Sequence, residues 1–110
     1  MTPILKSLSE IVARANDALY AQHPTVSTMM GIIDQSLRKQ GLAADAITVD
    51  CLALDRKIVI FIRDDRPDSV DVALGNKAGD IHSCVSHPTN QLTEAFMLQL
   101  MRDKFVTASI

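Results

Sequence analysis

Between Ile47 and Val85 the chain alternates apolar and polar residues in four short runs, and helix-period sequence lies on either side. Successive side chains on a strand point to opposite faces, so such runs predict strands with one buried face. Ile47, Val49, Cys51 and Ala53 share a face in the first run, and Ile58, Ile60 and Ile62 in the second. Val70, Val72 and Leu74 follow in the third, then Ile81, Ser83 and Val85, with Ser83 the one polar residue on that face. Asp55-Arg56 is short enough for a two-residue hairpin, although it lacks the favoured glycine. That turn sets Ala53 beside Ile58, Cys51 beside Ile60 and Val49 beside Ile62, matching two apolar triplets. Asn76-Lys77-Ala78-Gly79 reads as a four-residue loop that sets Leu74 beside Ile81 and Val70 beside Val85.

The flanks read as helices. Thr2 caps and Pro3 opens a first helix over 3–21, with Ile4, Leu8, Ile11, Ala15 and Leu19 at helical spacing. His23-Pro24 ends it, because the residue before proline avoids the α region. A second helix is expected over 26–40, with Thr25 as its cap and Val26, Met29, Met30, Ile33 and Leu37 as its apolar stripe. Arg38, Lys39 and Gly41 mark its end, and the short connection predicts an αα-hairpin. A third helix is expected over 90–105, with Thr89 or Asn90 as cap and Leu92, Phe96 and Leu100 along its main line. Ala95, Met97, Met101 and Phe105 broaden that line, and residues 106–110 form a loose tail.

The expectation is one α+β domain over residues 1–110. Its order is α-α-β-β-β-β-α, a four-stranded antiparallel meander with helices on one face. A chain of 110 residues can bury one core without disulfides or a metal.

Composition narrows function by exclusion. Net charge is −2, aromatics are 4% and no basic run occurs, so no nucleic-acid partner is expected. No apolar stretch is long enough to span a membrane, and the first residues lack the pattern of a signal peptide. Two cysteines, Cys51 and Cys84, make no disulfide framework, and a reducing, cytoplasmic location is expected. Dinucleotide, P-loop, zincin and nucleophile-elbow motifs are missing, and no cofactor is expected.

The second sheet face carries the functional expectation. Three helix stripes cover one face of a meander, while Leu52, Leu54, Val59 and Phe61 lie on the other. A solvated face is polar, so this apolar group predicts a contact with a partner or a second copy. The competing reading has one helix wrap round and cover it as ordinary core.

Reactive residues are sparse. His82-Ser83-Cys84-Val85-Ser86-His87 is the one segment that resembles a site. Strand parity sets His82 beside Cys84, and the expected hairpin sets Asp71 across from Cys84. Those three suit an imidazole–thiolate pair with a nearby carboxylate, while His82, Cys84 and His87 suit zinc. The plainer reading is a small cysteine beside a hydrogen-bonded histidine. No catalytic residue is assigned. The leading expectation is a small cytoplasmic interaction or regulatory module acting as a homodimer. The alternative is a small enzyme or metal-binding protein centred on the His/Cys cluster.

Overall fold

The structure, a computed structural model, describes residues 2–106. It is α+β: a helix, a five-stranded antiparallel sheet and a C-terminal helix. The expected tail over 106–110 lies outside the described residues except for Val106.

Helix α1 (Pro3–Gln22) follows its sequence signals closely. The Thr2 hydroxyl accepts from the Leu5 amide at 3.2 Å, and proline occupies the first turn. Leu5, Leu8, Val12, Ala15 and Leu19 are buried at helical spacing. The His23 amide closes the helix on the Leu19 carbonyl.

The expected second helix does not form. Its span divides into strand β1 (Thr28–Ile33) and the single-turn helix α2 (Ser36–Lys39). The apolar residues there fit a period of two as well as one near four. Thr28, Met30 and Ile32 turn toward α1, and Met29, Gly31 and Ile33 turn away, as their pairing with β2 (Ala44–Cys51) requires. Val26, Thr28, Ile32 and Ile33 are β-branched, and Gly31 weakens a helix by about 0.5–1 kcal/mol relative to alanine. Gly31 also suits close strand packing, since a Cβ there would lie 2.8 Å from the Thr48 hydroxyl. The αα-hairpin is therefore absent and the sheet gains a fifth strand. The end signals still act on α2: Arg38 and Lys39 fill its last turn, and Gly41 takes φ +92°.

The remaining strands are β3 (Arg56–Arg63), β4 (Ser69–Gly75) and β5 (Ile81–Pro88), in spatial order β1-β2-β3-β4-β5. The predicted faces hold along the regular parts of the strands, but not for Ile81 and His82 at the start of β5, and the predicted registers do not hold. Ile60 pairs with Ile47, Ile58 with Val49, and Cys51 with Arg56. The turn spans Leu52 to Asp55, not Asp55-Arg56, and Asp55 takes φ 48°. This wider turn is tied to the next hairpin. The Lys77 amide donates to Asp55 Oδ1 at 3.0 Å and Lys77 Nζ to the Leu52 carbonyl at 2.6 Å. An even shift keeps parity, so Cys51 remains among the isoleucines, 1% exposed. In the last hairpin Val72 faces Val85 and Val70 faces His87, again shifted from the expected pairs.

After the 3-10 turn Thr89–Gln91, helix α3 (Glu94–Phe105) starts later than expected. Its cap is Thr93, whose hydroxyl accepts from the Phe96 amide at 3.1 Å. Met97, Met101 and Phe105 form the buried line, so the central stripe lies one residue beyond the expected one. With α1 and the isoleucine face of the sheet they form one core.

Candidate functional site

Helices α1 and α3 cover one face of the sheet. The register puts the opposite face into rows across the strands. One runs Ile33, Ala46, Phe61, Asp71, Ser86, and the next runs Gly31, Thr48, Val59, Ala73, Cys84. Phe61 and Val59 stand on the central strand, partly exposed. They are flanked by Ala46 and Ala73, whose small side chains are buried beside them.

α2 folds back over one end of this open face. Its anchor is Arg38, whose guanidinium makes two bonds to Asp45 at 3.0 Å and two to Asp64 at 2.8 and 3.0 Å. Asp45 is 2% exposed, so the ion pair is fixed on its carboxylate side. Hydrogen bonding to Arg38 holds the Asp64 carboxyl below the usual carboxylate range, and the same bonds raise the guanidinium above its ordinary value. The clamp sets Leu37 over the sheet. A hollow of about 460 Å³ lies on one side, lined by Leu37, Leu42, Ala44, Phe61, Arg63 and Cys84 among others. A second, of about 200 Å³, includes Ile33, Leu37, Ala46, Val59, Phe61 and Ile81 in its lining. Leu37 and Phe61 line both, so the two hollows form one apolar trough.

Polar groups bound the trough. Asp71 accepts a hydrogen bond from the Ser86 hydroxyl, and Arg66 and Arg63 lie 3.5 and 3.9 Å from its carboxylate. Asp50 and Lys57 face each other at 3.6 Å across β2 and β3.

Of the four residues expected to form the association patch, two lie on this face. Val59 and Phe61 line the trough. Leu52 and Leu54 belong to the turn after β2, because that strand ends at Cys51. Leu52 is 43% exposed there, and Leu54 packs against the core. Sequence reasoning missed Ile33, Leu37, Leu42 and Ile81. The first two were assigned to one long helix. Leu42 stands after Gly41 with no periodic neighbours, and Ile81 was assigned to the buried face.

Of the expected reactive cluster, Asp71 and Cys84 line one hollow, and neither His82 nor His87 joins them. Between Gly75 and Leu74 the partner strand passes from Ile81 to Ser83, so His82 is the extra residue of a β-bulge. The bulge breaks the parity that would join His82 to Cys84. His82 lines a hollow with Leu74, Asp103 and Phe105 on the helix side, whereas Cys84 lines the trough. Asp71 faces Ser86, and Cys84 faces Ala73. His87 packs edge-on against Phe96, with ring centroids 5.1 Å apart. Among the described residues no group of three or more His, Cys, Asp or Glu side chains is placed to hold a metal ion.

Both thiols are free, Cys51 buried and Cys84 exposed. A thiol reagent added to native protein should consume Cys84 first and reach Cys51 only through opening of the core. Equal labelling rates under native conditions would contradict the placement of Cys51.

No described helix is long and apolar enough to cross a membrane. Comparison with protein-family models, curated proteins and solved structures found no match.

Proposed function

We propose that this chain is a small cytoplasmic protein-interaction or regulatory module that works as a homodimer, with the open sheet face as its association surface. The observation that carries this reading is the trough itself. Phe61 and Val59 stand partly exposed on the central strand, with Leu37 beside them and no long helix above. A partly exposed aromatic at the centre of an apolar patch is the usual anchor of a protein contact. The ion pairs at the two ends supply the polar rim that such contacts carry. Leu37, Val59 and Phe61 are already partly buried, so covering them contributes only part of the roughly 1.5–3 kcal/mol that full burial of each would give, before the costs of association. A second copy is the simplest occupant, since it offers an identical patch at equal concentration. Free thiols are compatible with a reducing compartment.

Light scattering at micromolar concentration tests the proposal. The wild type should have a mass that is a multiple of the chain's. Phe61→Asp, which brings carboxylates face to face across the contact, should halve it while the helical circular dichroism persists. A monomeric wild type, or a folded variant of unchanged mass, removes the reading.

A further inference from the structure

Strand β5 ends the sheet, and nothing in its sequence guards the open edge. It runs for eight residues, seven of them exposed, and Ile81–Pro88 contains no Asp, Glu, Lys or Arg. Edge strands present a row of backbone donors and acceptors, and proteins that stay single normally blunt them with charge, an early proline or brevity. Here proline comes only at the last position, and the bulge at His82 lies at the other end. Ser83 to His87 remain regular between them. Val85 is 54% exposed on the helix side, beyond the reach of α1 and α3. The opposite edge differs. β1 has six residues, four of them partly buried, and its Thr28 hydroxyl bonds to Asn16 of α1.

We infer that β5 is a second self-association site, where the edge of one copy pairs antiparallel with β5 of another about a two-fold axis. Charge decides for a second copy: an uncharged strand laid against itself opposes no like charges. The pairing satisfies the outer backbone groups of both strands and brings the two Val85 side chains toward each other. It also closes, whereas β5 on β1 would repeat head to tail into open arrays. A two-fold axis normal to the sheet keeps both helix layers on one side and both troughs on the other. The edge contact is thus compatible with the trough contact and independent of it.

The test separates the two. Light scattering at one micromolar concentration would compare wild type, Phe61→Asp, the edge variant Ser83→Lys/Val85→Lys, and their combination. Ser83 and Val85 are exposed, so the edge variant should keep the circular dichroism of the folded wild type. With both contacts present, the wild type should have the mass of about four chains, each variant about two and the combination about one. An edge variant with the wild-type mass overturns the inference and leaves β5 free for a different chain. A mass that falls in the edge variant but not in Phe61→Asp upholds the edge and removes the trough contact. Hydrogen exchange gives an independent check. Backbone amides over 83–87 should gain protection with protein concentration in the wild type, and no gain counts against the pairing.

Discussion

Replacing Phe105 by alanine should lower the unfolding free energy by about 3–5 kcal/mol, the usual loss when a buried aromatic is truncated. Phe105 is the largest of the fully enclosed side chains and is 2% exposed. It is the last residue of α3 and the end of the Met97–Met101–Phe105 line. The Arg56 guanidinium donates to the Lys104 carbonyl at 2.6 Å, which pins this helix end over the β2–β3 hairpin. Shrinking Phe105 leaves a void that the pinned backbone cannot close. A domain of this size has roughly 5–15 kcal/mol in total, so the variant should lose a large part of its stability. Urea denaturation followed by far-ultraviolet circular dichroism measures the effect. Tyr20→Ala, at a 64% exposed position of α1, serves as the control and should shift stability by no more than about 0.5 kcal/mol. A loss below about 1 kcal/mol for Phe105→Ala would mean the end of α3 is not packed as described.

Gly75→Ala should be the most damaging of the glycine substitutions. An added Cβ would lie 2.1 Å from the Asp80 carbonyl oxygen and 3.0 Å from its carbon, both backbone atoms. At Gly31 the obstacle is a hydroxyl that can rotate, so the cost there is smaller. Gly75 closes the β4–β5 hairpin where Asn76 N–H donates to the same Asp80 carbonyl, next to the bulge. Making room for a methyl group means moving one strand end, which costs about 1–3 kcal/mol by analogy with overpacked cores. The change should also release the bulge and alter how β5 sits. A lower urea midpoint, together with faster amide exchange over 81–88, is the expected result. An unchanged midpoint would show that the hairpin can open there without cost.

The expected neighbour relation of His82 and Cys84 is broken by the bulge in β5. His82 and Cys84 are two apart, and two apart means one face only on a regular strand. The bulge depends on Gly75 and Asp80 meeting across the hairpin, a contact that no alternation of apolar residues reports. Phe61 and Val59 were legible because they lie within a long, regular run. Leu52 and Leu54 were not, because their place depends on where β2 stops. That point is set by bonds between two loops, from Lys77 to Asp55 and to Leu52.

What the amino-acid sequence by itself determined is the face of each residue in the regular strands, the first helix with its cap, and the α+β class. These follow from period and from residues adjacent in the chain, which act locally. The tertiary structure alone decided that 28–33 is a strand, since its apolar residues fit both periods and pairing with β2 selected one. It likewise decided the registers, because an even slip leaves every apolar residue on its own face and only the turns tell the slips apart. The trough depends on one side chain reaching across the fold: Arg38 joins Asp45 and Asp64, which are 7 and 26 residues away in the chain, and so lays Leu37 over the sheet.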